Sequence, residues 1–354
     1  MAISDLPVDE IDARATRSAK ILVTRRLPEM IEARMRDLFD VQFNENDVQW
    51  SSAELLSRVS GKTVLVSTIT DRLDQAVIEQ LPDELCLIAQ FGNGVDNIDI
   101  EAAHGRGIAV TNTPSVLTQD TADMALALIL AVPRRLAEGA QVLAKGDVWS
   151  GWSPTGMMGR RLGGKAIGIV GMGRIGTAVA RRARAFGLAI NYYSRTRRPA
   201  EIEAPLDAVC WPSLDDMLAA VDIVSLHTPH TRETFNMLSS DRLKRMKQGA
   251  FLVNVSRPEL IDEDALVAEI ENGHLSGAGL DVFEHKRKIN PRLLALAAQN
   301  RVVLTPHMGS STLEARIEMG ETVIVNIRVF LDGHKPPQRV LAELVNEPVV
   351  DLPQ

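Results

Sequence analysis

The sequence predicts an α/β protein built from two doubly wound parallel-sheet domains, and three observations carry that class. Short apolar, β-branched runs alternate with helix-forming stretches from one end to the other, the pattern of parallel sheets covered by helices. A complete set of such units precedes a glycine-rich strand–turn–helix in the middle of the chain. At 354 residues the chain is long enough for two domains of ordinary size.

The elements follow in order. Candidate strands in the first third are 20–24, 41–43, 63–67, 85–90 and 107–111, with helical stretches such as 28–38 and 53–59 between them. A long helix is expected over 119–144 and should kink at Pro133, because proline removes an N–H and crowds the preceding turn. A glycine-rich loop, 151–164, leads into the apolar strand 165–170. An alanine-rich helix (177–186) and a second strand (188–193) come next, then strands at 223–226, 250–255, 277–282 and 302–305. A last amphipathic helix, 312–331, stops at Asp332-Gly333. No repeat of solenoid period and no low-complexity run interrupts this order.

The turn after strand 165–170 reads Gly171-Met-Gly173-Arg174-Ile175-Gly176. The glycines differ in what they permit. Gly171 allows the tight turn, Gly173 lets backbone approach a pyrophosphate, and Gly176 lets helix pack closely on strand. The helix N-terminus that follows offers free N–H groups and a positive dipole end to phosphates, with Arg174 and Ile175 in the turn that leads into it. Strand, turn, helix and second strand together define a Rossmann dinucleotide-binding domain. Its adenosine preference turns on the end of the second strand. Where an acidic residue would hold a ribose 2′-hydroxyl, this chain has Ser194, followed by Arg195, Thr196, Arg197 and Arg198. A hydroxyl and guanidinium groups suit a 2′-phosphate, so NADP(H) is expected in preference to NAD(H). Glu203 and Asp207 fall too far along to be the ribose ligand.

Composition removes several function classes. There is no run of 18 apolar residues, and the N-terminus carries acids where a signal peptide needs an apolar core, so a soluble cytoplasmic protein is expected. Cys86 and Cys210, far apart in apolar surroundings, read as buried thiols and not as a disulfide or metal framework. A net charge of −7 argues against general nucleic-acid binding. Because the fingerprint is central, the nucleotide domain (119–306) is expected to be inserted into a flavodoxin-like substrate domain made of 19–118 and 307–354, with 1–18 a flexible extension. Ligand is expected at strand carboxyl ends.

Hydride transfer to a carbonyl asks the protein for positioning, a proton donor and an anion anchor. Of seven histidines, His307 stands just past a strand in a Pro/Gly turn, where a catalytic loop group is expected, and is the candidate general acid. His227 also ends a strand and is read as ordering a loop beside the cofactor. His104, His274 and His334 are read as surface residues, and His230 and His285 are left open. Arg257 emerges where strand 250–255 ends and is the candidate carboxylate anchor, since a two-pronged guanidinium matches a carboxylate. Backbone N–H groups in Gly92-Asn93-Gly94-Val95 form a second candidate carboxylate cradle.

Taken together, Gly92 to Asp96, Thr111 to Pro114, Val116 to Thr118, Gly146 to Trp152, the glycine fingerprint, Asn254 to Arg257, Gly279 to Val282 and Pro306-His307-x-Gly309 resemble the D-isomer-specific 2-hydroxyacid dehydrogenases. The likeness is greatest to the glyoxylate/hydroxypyruvate reductase branch and covers roughly residues 20 to 342. It implies hydride delivery from a nicotinamide to a 2-oxoacid, with His307 protonating the carbonyl oxygen and Arg257 holding carboxylate and carbonyl. It also implies Asp281 at the nicotinamide carboxamide, with Thr228, Val255 and Gly309 along the cofactor. A homodimer joined through the long helix and the loop bearing Trp149 and Trp152 is implied as well.

Two positions depart from that family's pattern. The glutamate that pairs with the histidine falls on Lys286, so the imidazole would lose its carboxylate partner unless Glu284 substitutes for it. The residue after Arg257 is Pro258 where glycine is usual, which biases Arg257 toward extended backbone. Lys286 supports a second reading, a catalytically weak dinucleotide-binding sensor or scaffold like the C-terminal-binding corepressors.

Overall fold

The computed structural model describes residues 19–146, 149, 151–284 and 289–341. The extension expected at 1–18 and the departure at Lys286 lie outside these residues, as does His285. The chain divides into two compact units, one from 1–117 and 312–354, the other from 118–311.

The first unit is a parallel sheet of β1 (Lys20–Val23), β2 (Asp40–Gln42), β3 (Val64–Thr68), β4 (Leu87–Phe91) and β5 (Ala109–Thr111) in the order β2-β1-β3-β4-β5. This is the flavodoxin-like order, which reverses direction beside β1. Alternation along each strand feeds two cores. Ile21, Val23, Val64 and Val66 meet Ile31, Met35, Val323 and Ile327 on one face. Leu22 and Leu65 meet Leu55, Val59, Leu73 and Ile78 on the other. Both faces of the central strands β1, β3 and β4 are therefore covered and mostly apolar, while β2 (Asp40–Gln42) lies at the exposed edge. The helix Leu313–Leu331 returns to this sheet, and the Thr312 side chain caps it by accepting from the Ala315 N–H at 3.1 Å.

The second unit holds seven parallel strands: β6 (Ala166–Val170), β7 (Ala189–Tyr193), β8 (Val209–Cys210), β9 (Ile223–Leu226), β10 (Phe251–Asn254), β11 (Gly277–Leu280) and β12 (Val302–Leu304). Their order is β12-β11-β10-β9-β6-β7-β8, so the winding reverses at β6 and β9. Helices Thr118–Ala131 and Arg174–Ala185 pack Ala122, Ala125, Leu128, Val179 and Ala183 on one face. Leu214, Leu243, Leu266, Ile270 and Leu293 cover the other.

Several details differ from the sequence expectations. The long helix does not kink at Pro133 but breaks into Thr118–Ala131 and Leu136–Ala144, with Arg135 at φ 55° in the gap. The Pro133 carbonyl accepts from the Arg160 N–H at 2.7 Å, so a distant loop satisfies the opened turn. β8 was not anticipated, because two residues at a sheet edge show no periodicity. Residues 307–311 belong to the second unit, since the His307 N–H donates to the Asp281 carbonyl on β11's side of that unit. Cys86 and Cys210 are free thiols but only half-buried. His104 and His274 are half-buried where surface positions were expected, and burial lowers the His104 pKa. His334 is exposed.

Candidate active site

Parallel strands end at one edge of a sheet, and in the second unit each carboxyl end from β12 to β7 carries a residue singled out from the sequence. Across that edge the order is His307 after β12, Asp281 after β11, Val255 and Arg257 after β10, Thr228 after β9, the glycine turn after β6 and Ser194 after β7. With strands about 4.8 Å apart, this row spans roughly 24 Å, which suits an extended dinucleotide.

The glycine turn is shaped for a phosphate. Gly171 has φ 94°, and a Cβ there would lie 2.7 Å from Thr228 Cγ2 and 2.8 Å from the His227 carbonyl. A Cβ at Gly176 would run into the Gly171 carbonyl oxygen, so strand and helix touch backbone to backbone. Gly173 differs: nothing lies within 4 Å of the Cβ it lacks. Packing does not require glycine there, and the open space leaves the backbone accessible to a ligand. Gly173 caps the helix Arg174–Ala185 without a side-chain bond, which leaves the first-turn N–H groups of Arg174, Ile175 and Gly176 facing outward.

Beside the turn, His227 Nδ1 and Thr228 Oγ1 are buried without a hydrogen-bond partner among the described residues. Buried polar atoms left this way are what a polar ligand would satisfy, so the site fits a dinucleotide. The His227 Nε2 meets Ser225 Oγ at 2.8 Å, and the backbone N–H of His227 donates to the Val170 carbonyl at 2.8 Å. Burial pushes its pKa down to about 3, so the ring is neutral; it bonds back to Ser225 within β9, and the loop is joined to β6 through the His227 backbone and not through the ring. His230 lies tilted against Phe235, 6.2 Å between ring centroids.

Ser194 Oγ accepts from the Met172 N–H at 2.8 Å and so ties the end of β7 to the glycine turn. Arg195 is exposed beside it. Arg257 has φ −139° and ψ 140°, the extended backbone expected before Pro258. The Asn254 side chain holds its emergence in place, donating to the Arg257 carbonyl at 2.8 Å and accepting from the Ser256 N–H at 3.0 Å. Ser256 Oγ donates in turn to the Thr228 carbonyl, joining the ends of β9 and β10.

His307 sits at φ 54°, a left-handed conformation that a non-glycine residue keeps only when its surroundings enforce it. Asp281, 1% exposed, enforces it. One carboxylate oxygen accepts from Thr305 Oγ1 at 2.6 Å and the Met308 N–H at 2.7 Å, and the other from the Gly309 N–H at 2.7 Å. Asp281 thus organises the turn that presents His307, a role the sequence did not disclose. A threonine two residues before the histidine and an aspartate after the preceding strand were the available signals. Glu284 is exposed, and its N–H donates to Glu263 Oε2 at 2.7 Å. Burial raises the Glu263 pKa, and the nearby Glu284 charge adds to that rise.

In the first unit, the 92–95 turn is held by side chains that the sequence reading missed. Gln90 Nε2 donates to the Gly94 carbonyl at 3.1 Å and to Asn97 Oδ1 at 2.8 Å, and Asn112 Nδ2 donates to the Asn93 carbonyl at 2.7 Å. A trans peptide points its N–H opposite its C=O. Anchoring the carbonyls of Asn93 and Gly94 therefore turns the N–H groups of Gly94 and Val95 the other way, as an anion cradle needs.

A glycine-turn phosphate site, a row of ligand-side residues along a doubly wound sheet and a histidine on a braced turn define a nicotinamide-dinucleotide-dependent dehydrogenase. Comparison with known proteins makes the assignment specific. Residues 126–309 match the family model described as D-isomer specific 2-hydroxyacid dehydrogenase, NAD binding domain. A glyoxylate reductase of Thermococcus onnurineus is 43% identical over 331 residues, covering 92% of this chain and 97% of the relative. Among solved structures, the TT0316 protein of Thermus thermophilus superposes with a TM-score of 0.83 at 43% identity, over 91% of this chain and 100% of that one. An NADPH-dependent glyoxylate/hydroxypyruvate reductase of Sinorhizobium meliloti, solved with NADP and malonate, gives 0.79 at 31% identity over 92% and 97%. The chain belongs to the D-isomer-specific 2-hydroxyacid dehydrogenase family, as the sequence motifs implied. It is an NAD(P)-dependent oxidoreductase acting on 2-oxoacids, and the sensor or scaffold reading is not favoured.

Proposed function

We propose that this protein reduces glyoxylate or hydroxypyruvate to the corresponding 2-hydroxyacid, with NADPH as preferred donor and NADH as second choice. The observation that carries the reading is the His307 turn, strained and braced by Asp281, on the sheet edge that also bears Arg257. The names of the relatives from Thermococcus and Sinorhizobium supply the substrate class.

When bound, the reduced nicotinamide supplies the hydride. The protein's part is to hold the acceptor and deliver a proton. Arg257 offers a planar fork to the substrate carboxylate and carbonyl, and its backbone is fixed by Asn254. The 92–95 turn, with Asn93 and Gly94 at its centre, offers N–H groups suited to a carboxylate. His307, protonated beforehand, gives its proton to the carbonyl oxygen as negative charge develops there. Val255, Thr228 and Gly309, at or beside the strand ends, would hold the cofactor, and the buried Asp281 would stand toward its nicotinamide.

The preference for NADPH rests on Ser194 and Arg195. No carboxylate stands at the end of β7 to repel a 2′-phosphate, and Arg195 is exposed beside a serine hydroxyl. We further propose a homodimer. The helix Leu136–Ala144 buries none of its residues, and Leu136, Leu143, Trp149, Trp152 and Met158 are each more than half exposed. An apolar surface of that extent is ordinarily covered by a partner. Among the described residues no helix is long and apolar enough to cross a membrane. A reducing, cytoplasmic location fits two free cysteines, and the acidic charge balance fits a protein without a nucleic-acid partner.

Steady-state rates of NADPH and NADH oxidation with glyoxylate, hydroxypyruvate and bulkier 2-oxoacids test the proposal. Turnover that disappears in His307→Ala while cofactor binding persists is the expected result. Tight cofactor binding without turnover on the whole panel refutes it.

A further inference from the structure

The loop after β7 presents a cluster of arginines, and the structure gives them different work. Arg197 is forked onto Glu203: Nε lies 3.0 Å from Oε1 and 3.2 Å from Oε2, and Nη2 lies 2.8 Å from Oε2. The same carboxylate accepts the Tyr192 O–H at 2.5 Å. Tyr192 Oη accepts in turn from the Arg198 N–H at 2.9 Å. Strand residue 192, loop residues 197 and 198 and helix residue 203 are therefore tied at one point.

That point is dry. Tyr192 is completely buried and Glu203 is 8% exposed. Burial, and after it the Glu203 carboxylate, pushes the Tyr192 phenol well above its ordinary pKa, so the hydroxyl remains a donor throughout the working range. Arg195 sits outside the knot. It is exposed, and its charge acts on Glu233, whose carboxyl is held below its usual range chiefly by the Thr231 hydroxyl and in smaller part by Arg195.

We propose that Tyr192 and Glu203 are positioning residues for cofactor selection: by engaging Arg197 and the backbone of Arg198, they fix the 194–198 loop so that Ser194 and Arg195 are presented to an adenosine 2′-phosphate. The inference rests on the NADPH preference proposed above. It assigns recognition to Arg195 and loop geometry to Arg197, which are indistinguishable in sequence. Removing the clamp costs the phosphate grip because Arg195 must then be ordered on binding. An unphosphorylated ribose, which does not use the grip, loses little.

The test uses the intact protein and two probes, adenosine 2′,5′-bisphosphate and adenosine 5′-monophosphate, titrated calorimetrically. KM values for NADPH and NADH are measured alongside. In wild type the bisphosphate should bind more tightly, and Arg195→Ala should abolish the difference. Wild type without that difference, or an Arg195→Ala variant that keeps it, overturns the NADPH reading and the clamp with it. With those two controls as expected, Glu203→Gln and Tyr192→Phe should each weaken bisphosphate binding by about fivefold, in the range of one lost hydrogen bond. The ratio of KM for NADPH to KM for NADH should rise by a similar factor. Equal weakening of both probes means a purely structural role and overturns the clamp alone. Tighter bisphosphate binding in Glu203→Gln also overturns it, because Glu203 would then be competing with the phosphate for Arg197. Tyr192→Phe deletes one oxygen and Glu203→Gln keeps its shape, so either variant can decide the matter if the other fails to fold.

Discussion

Asp281→Asn isolates the contribution of the His307 turn. The native carboxylate is buried and accepts three hydrogen bonds, from Thr305 Oγ1, the Met308 N–H and the Gly309 N–H, at 2.6, 2.7 and 2.7 Å. Asparagine keeps one oxygen, which can still serve Thr305 and Met308, but its amide then faces the Gly309 N–H donor to donor. Two charge-assisted bonds become neutral ones, a loss of about 1 kcal/mol each, and one buried N–H is left unsatisfied at about 1–3 kcal/mol. The sum is roughly 3–5 kcal/mol against a turn whose central histidine is already strained at φ 54°. The urea midpoint, followed by circular dichroism, should fall accordingly. Glyoxylate turnover should fall by about 100-fold, the scale expected when a reacting group is misplaced by about 1 Å. Thr305→Val, which removes only one of the three bonds, should show an intermediate loss in both assays. If Asp281→Asn stays within about 0.5 kcal/mol of wild type in urea, the carboxylate is not what holds the turn, since a surface substitution shifts stability by that much.

Other consequences can be checked independently. Ser194→Asp keeps an acceptor for the Met172 N–H but places a negative charge where the 2′-phosphate is expected, so preference should move toward NADH by about tenfold or more; an unchanged NADPH/NADH ratio counts against the assignment. His227 is held neutral in the fold, with its pKa lowered from 6.5 to about 3 by burial. Its stabilising contribution is complete above pH 6.5 and is lost as pH falls from there toward 3, at up to about 1.4 kcal/mol per pH unit. Urea titrations of His227→Gln across that window should show a shallower acid limb than wild type, and parallel limbs would exclude the assignment. Leu143→Glu, at a position 65% exposed, should leave the fold intact and shift a dimer to monomer in sedimentation; an unchanged sedimentation coefficient would place the dimer contact elsewhere.

What could be read from the sequence was what short-range rules encode. The glycine turn, the strand before it and the helix after it lie within a few residues of each other, so pattern alone locates a phosphate site. Apolar runs mark the strands, and the position of each just before a polar loop places Ser194, Thr228, Arg257 and His307 at strand ends. Pro258 even foretold the extended backbone of Arg257. The long helix shows where local rules stop. Pro133 signals a disturbance, but a full break requires something to satisfy the opened carbonyl, and the loop at Arg160 does so from 27 residues away in sequence.

The braces of the site belong to the tertiary structure for the same reason. Asp281 reaches the turn at 305–309 only because β11 and β12 are paired, and Gln90 and Asn112 meet at the 92–95 turn only because β4 and β5 are neighbours. Tyr192 and Glu203, eleven residues apart, become partners because a helical turn folds back over the end of β7. Motif chemistry is local, and the sequence by itself determined the family and the cofactor class, and it singled out the residues that stand at the strand ends. Orientation is set by buried hydrogen bonds between segments distant in sequence, whose pairing becomes visible only once the sheets have formed. The tertiary structure therefore decided which residue braces the His307 turn, which arginine is held and which is left exposed.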